Sequence, residues 1–265
     1  EAPDMEAWIR FLDRFTNPAG EVEIAMVGKY TSLKDSYLSV MEALTHAGTM
    51  NHVRVNLRSV EAEDVEEKGV EATLAGVQGV LVPGGFGSRG IEGKIAAAGY
   101  ARRNGIPYLG LCLGMHVAAV EFARNVLGIA AAHSSEIDPG TPNPVIHLME
   151  EQRHVSHLGG TMRLGTYPCA LVPGTLAQGA YGAEAVQERH RHRYEFNNDY
   201  RKRFSEAGFR VAGVYPEKDL VEVLEMEGHP WFVGVQFHPE FLSRPVRPHP
   251  LFREFVAAAT RTKQG

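Results

Sequence analysis

Residues 21–28 read Glu-Val-Glu-Ile-Ala-Met-Val-Gly, alternating polar and apolar before turning apolar throughout. Alternation that runs into a short apolar stretch bounded by glycine predicts a strand buried on both faces at its far end. Similar runs recur at 52–60, 79–82 and 107–111. Between them, apolar positions at helical spacing predict helices over about 35–46, 92–103 and 113–126. Strand, helix, strand, helix implies parallel strands joined by helical crossovers, so the fold class is α/β, a mostly parallel central sheet flanked by helices. After Gly128 the period changes. Segments 163–172, 186–196, 211–214 and 221–235 read as strands with turns between them, 198–207 as a helix, and 250–262 as a closing helix. This is an added β-rich portion. The start, 1–15, reads as one short helix cut off by Pro18-Ala19-Gly20, which divides the chain into a linker-like segment 1–20 and one domain, 21–265.

Composition narrows the function classes. Lys and Arg total 27 against 32 Asp and Glu, a net charge of −5 that argues against a nucleic-acid partner, where domains are usually basic. No apolar run approaches the roughly 18 residues of a membrane span, and the acidic, amphipathic start is wrong for a secretory signal. Two cysteines, Cys112 and Cys169, make no disulfide scaffold. The expectation is a cytoplasmic enzyme or regulatory domain with no membrane partner.

One cysteine has chemistry around it. Gly110-Leu111-Cys112-Leu113-Gly114 stands at a strand end and a helix start, the thiol form of the G-x-S-x-G nucleophile elbow. Small neighbours permit the sharp turn, and the helix dipole favours a thiolate at its N-terminus. Cys169, in Thr-Tyr-Pro-Cys-Ala-Leu-Val, lacks that setting and reads as core. A thiol nucleophile needs a base, and the base an orienter. Among 12 histidines, His238 stands out in Gln-Phe-His-Pro-Glu. Pro239 pushes it toward extended geometry, where Glu240 would point the same way and hold its ring.

Two patterns mislead. Gly85-Phe86-Gly87-Ser88-Arg89-Gly90 spells a dinucleotide fingerprint, but the next strand ends in Leu111-Cys112 without the acid that would hold a ribose. Arg189-His190-Arg191-His192-Arg193 would set three arginines on one strand face and two histidines on the other, and further zinc ligands at suitable spacing are missing. No metal site is predicted.

Gly-Leu-Cys-Leu-Gly-Met-His with Gly-Val-Gln-Phe-His-Pro-Glu-Phe resembles the class I glutamine amidotransferases, flavodoxin-like domains using a Cys-His-Glu triad. Within them, residues 28–48, 83–95, 159–165 and 188–198 resemble in order the glutaminase half of the CTP synthase family, and 1–15 resembles its interdomain linker. The resemblance implies that Cys112, His238 and Glu240 hydrolyse the side-chain amide of L-glutamine through a thioester. It places Gly85 and Leu113 amides at the oxyanion, and Gly114, Met115 and His116 beside the substrate. Arg193 would take the substrate carboxylate and Glu136 its ammonium, as a zwitterion requires. It further implies an amidoligase partner domain carrying ATP, Mg and UTP, a homo-oligomeric full enzyme, ammonia passed on to make CTP, and GTP as activator at a lid holding Arg89, Gly90 and Glu92. No cofactor is expected on this domain. Two residues depart from the family pattern: His116 where glutamine is usual, and His147 where an acid is common. The residues also admit a glutaminase domain of another synthase (that for GMP or carbamoyl phosphate), or a catalytically silent regulatory domain.

Overall fold

A computed structural model describes residues 4–31, 34–148 and 162–262. Strand β1 (Gly20–Gly28) lies between β2 (Val53–Glu61) and β3 (Gly79–Val82), and β4 (Tyr108–Leu111) follows β3, all parallel. β3 and β4 are buried along their whole length, because helices cover both faces. On one face lie α5 (Ile91–Arg103) and α6 (Leu113–Asn125); on the other lie α2 (Leu38–Met50) and the closing helix Pro250–Thr262.

The β-rich portion continues this sheet. β12 (Phe232–Val235) pairs parallel with β4, setting Phe232 opposite Tyr108 with their rings stacked at 4.4 Å. Beyond it run β11 (Leu220–Met226), β10 (Phe209–Tyr215), β7 (Arg163–Leu171) and β8 (Ala185–His192), each antiparallel to its neighbour. Among the described residues these make one nine-stranded sheet, parallel at one end and antiparallel at the other. The crossover helices thus stop where the chain turns to hairpins, and β12 closes the gap by returning beside β4. That return brings the segment after Val235 alongside the segment after Leu111.

Three expectations need correction. The run 221–235 is two strands, because Glu227-Gly228 turns the chain with Gly228 at φ +71°. The run 186–196 ends its ladder at His192, and Glu195–Phe196 (β9) leaves for a separate sheet with β5 (Ala132–Ser134) and β6 (Asn143–His147). Two short helices, α3 (Ala62–Lys68) and α4 (Val70–Leu74), fill a stretch given no element from sequence. Near the N-terminus, α1 (Glu6–Thr16) buries none of its residues, leaving Trp8, Ile9, Leu12 and Phe15 exposed. Among the described residues, no helix is long and apolar enough to cross a membrane.

Candidate active site

The turn between β4 and α6 is tight. Cys112 caps the helix at φ +50°, ψ −100°, a strained backbone for a side-chain-bearing residue, held by its N–H donating to Val235 O at 2.7 Å. Its own carbonyl accepts the N–H groups of Met115 and His116 at 3.0 and 3.3 Å. A Cβ on Gly114 would collide with the Val82 carbonyl, so only glycine lets α6 start this close to β3. The N–H of Leu113, in the first helical turn, has no intrahelical acceptor.

β12 delivers the base. His238 Nδ1 lies 2.8 Å from Glu240 Oε1, and the His238 N–H donates to Arg189 O at 2.8 Å. The segment is not extended as expected: Pro239–Leu242 forms a 3-10 turn, because proline's fixed φ suits the first helical position. Glu240 reaches the ring across that turn. Burial alone would depress the His238 pKa, yet hydrogen bonds and charge from Cys112 and Glu240 outweigh it and push it up to about 10. The shift favours the protonated ring. Gly84 makes room for it, since a Cβ there would sit 2.8 Å from His238 Cε1.

Cys112 opens onto a cavity of about 310 Å³ that is also lined by Gly85, Leu113, His116, Glu136 and Arg193. Glu136 and Arg193 interact electrostatically; burial raises the Glu136 carboxyl and Arg193 opposes the rise. The cavity thus presents a guanidinium and a carboxyl group together. The hollows beside α1, lined by residues such as Arg10, Phe11 and Met50, hold none of the expected site residues.

The family model for "Glutamine amidotransferase class-I" matches residues 32–258. The chain belongs to the class I glutamine amidotransferases. Its relatives lie in the CTP synthase branch. It is 57% identical over 262 residues to the CTP synthase of Carboxydothermus hydrogenoformans, covering 99% of this chain and 49% of that protein. It is 57% identical over 260 residues to that of Chloroflexus aurantiacus, covering 98% and 48%. A solved structure, the glutaminase domain of Trypanosoma brucei CTP synthase with bound acivicin, superposes with a TM-score of 0.85 at 38% identity, covering 91% of this chain and 94% of that one. This amidotransferase chain spans about half the length of the curated relatives it matches.

Other expected positions fall outside the amidotransferase cavity. Met115 is fully buried against Gly234, and Gly114 packs on Val82, so neither side chain position faces the hollow. Arg89 pairs with Glu63 at 2.9 Å and lies over the Tyr30 ring, Gly90 caps α5 in the left-handed region, and Glu92 pairs with Arg124 at 2.8 Å. On β8 the arginines at 189 and 191 are exposed while His190 and His192 are buried and bonded at 2.9 Å, as period 2 requires. Among the described residues no group of three or more His, Cys, Asp or Glu could hold a metal. Gly159 to Thr161 lie outside the described residues, and His147 ends β6 in register with Glu195. Gly84, which with Gly85 resembles the family's oxyanion loop, lies against the His238 ring, and one neighbour given no role from sequence is Gln236, whose Nε2 lies 3.8 Å from Cys112 Sγ.

Proposed function

We propose that this amidotransferase domain hydrolyses the side-chain amide of L-glutamine. The observation that carries the reading is Cys112 on its elbow beside the His238–Glu240 pair, facing a cavity with Glu136 and Arg193 in it. Arg193 takes the substrate carboxylate and Glu136 the ammonium, which aims the carboxamide carbon at Cys112. The thiolate attacks that carbon, and the carbonyl pair moves to oxygen, held by the N–H groups of Gly85 and Leu113. The His238 imidazolium gives its proton to the amide nitrogen, the C–N bond breaks, and ammonia leaves a thioester. Neutral His238 then takes a proton from water, whose oxygen adds to the thioester carbon. Collapse expels the thiolate with glutamate, restoring the thiolate–imidazolium pair. Glu240 keeps the ring oriented throughout.

The branch relationship supports a larger setting. In it, ammonia passes to an amidoligase domain that binds ATP, Mg and UTP and makes CTP, within a cytoplasmic homo-oligomer activated by GTP. The lid residues Arg89 and Glu92 are engaged in ion pairs here, so an effector acting on the lid would exchange those contacts.

Glutamate release and covalent trapping test the reading together. A glutamine-like electrophile is expected to place one label on Cys112 and none on Cys169, read by peptide mass mapping. Cys112→Ala should abolish glutamate release while the chain stays folded. A label on Cys169 alone, or release that survives C112A, overturns it.

A further inference from the structure

We propose that Gln236 is a positioning residue for the Cys112 thiolate, its carboxamide aimed by His116. The inference rests on the glutaminase reading above, because it assigns the sulfur its working form.

Gln236 is fully buried, and its backbone N–H is spent on Glu222 O at 2.9 Å. A buried carboxamide is costly unless both its ends are bonded. Here the ends find different partners: Oε1 lies 2.9 Å from His116 Nε2, and Nε2 lies 3.8 Å from Cys112 Sγ. A carboxamide can turn end for end, so something must choose the direction. His116 is 3% exposed, and burial, only partly opposed by its bond to Gln236, lowers its pKa to about 4. The ring is neutral at working pH with one proton to give. With Oε1 as acceptor, that proton sits on Nε2, and Nδ1, which has no hydrogen-bond partner among the described residues, keeps a lone pair. The amide N–H₂ is then turned toward sulfur. Around the same hollow stand His192, whose pKa is lowered by burial and then by His190 and the Arg163 guanidinium, together with Arg191, Arg193 and Glu136.

A donor at this point favours thiolate over thiol, since a hydrogen bond to a charged acceptor is the stronger one. It also gives the sulfur a second polar neighbour besides His238. The strand pairing explains why these residues meet: Val235 is in register with Leu111, so Gln236 and Cys112 are the first residues past the ends of two adjacent parallel strands. His116 stands one helical turn beyond Cys112, above the same spot.

The test reads the thiol directly. Alkylation of Cys112 by iodoacetamide is followed against pH by mass mapping, beside glutamate release, in the parent chain and in Gln236→Leu, Gln236→Met, His116→Leu and His116→Gln. Thermal melts select the folded variants, with Q236M standing in where Q236L does not fold. The expected result is an upward shift of the alkylation curve in Q236L or Q236M, with reactivity near neutral pH lower on the order of tenfold. His116→Leu should shift it the same way although it does not touch sulfur, and His116→Gln, which retains an N–H for Gln236 Oε1, should hold the curve near that of the parent. In the Gln236 variants kcat should fall more than KM rises. An unmoved curve in folded Q236L and Q236M, or an unmoved curve in H116L, overturns the assignment. Shifted alkylation in a chain that releases no glutamate would sink the glutaminase reading and leave the positioning intact.

Discussion

His238 sets the pH behaviour of the site. Its folded pKa, raised to about 10, lies above the unfolded value near 6.5, so the folded chain binds that proton more tightly. The resulting stability is fully present below about pH 6.5 and is lost as pH rises through about 10. His238→Asn should therefore lower the melting temperature relative to the parent most at pH 6–7, with the gap narrowing by pH 10.5. A gap that widens with pH would mean the imidazolium is not the bound form. Arg193 makes a different prediction. Arg193→Ala should cost about 1.5–3 kcal/mol in kcat/KM for glutamine, the range for a hydrogen bond to a charged group. Lysine should restore only part, because it lacks the planar fork. Equal losses toward glutamine and toward an analogue lacking the carboxylate would refute that contact. Neighbouring Met115 should behave as core: Met115→Ala should cost about 2–5 kcal/mol of stability and leave glutamine KM in the surviving folded protein near its parent value.

At the scale of elements, the elbow and the turn after β12 form one unit, joined by Cys112 N–H to Val235 O and capped by Gly84. Gly84→Ala should move the His238 ring, because the added methyl would sit 2.8 Å from Cε1. The expected outcome is a fall in kcat toward the roughly 10²–10⁴ that a positioned acid–base group contributes, with a melting temperature little changed. Near-parent kcat would show that the loop, not the ring, gives way. Much of this unit was legible in the chain. The strand–Gly-x-Cys-x-Gly–helix grammar is local, and the alternation at 189–192 told which side chains of β8 point inward, since period 2 leaves no choice, whereas Arg193 lies past the strand's end and is half-buried at the cavity. What escaped is long-range or conformational. Gln236 and His116 are 120 positions apart, and only the pairing of β12 with β4 brings them together. Proline before Glu240 permitted both an extended run and a 3-10 start, and the structure takes the second. The short strands β5, β6 and β9 carry too few residues for any period to show, and the acidic stretch of α3 reads as loop until it packs.

On the scale of the whole molecule, the loop 83–90 decides how much the chain can do by itself. It carries the proposed Gly85 donor and passes through left-handed backbone at Gly87 and Gly90, with φ of +80° and +70°. Between its buried ends, Pro83 and Gly90, the exposed stretch 86–89 is tied by surface contacts: Lys29 Nζ to Phe86 O at 3.3 Å, the half-exposed Arg89–Glu63 pair and Arg89 over the Tyr30 ring. Exposed pairs of this kind contribute about 0–1 kcal/mol, too little to hold a donor to the tolerance an oxyanion demands. Losing one such donor costs about 2.7–4 kcal/mol, or roughly 10²–10³ in rate. The chain spans about half of its curated relatives, and a domain pressed against this loop would order it, provided it binds the ordered state better. Alone, then, the chain should release glutamate slowly, and adding an amidoligase domain with UTP, ATP and GTP should raise the rate by about 10 to 10³-fold, with a smaller change in KM. Hydrogen exchange over 83–90 should slow in parallel. If the isolated chain already turns over at the rate of the complete mixture, or if the loop is protected before anything is added, the donor is preformed and the coupling proposed here is absent.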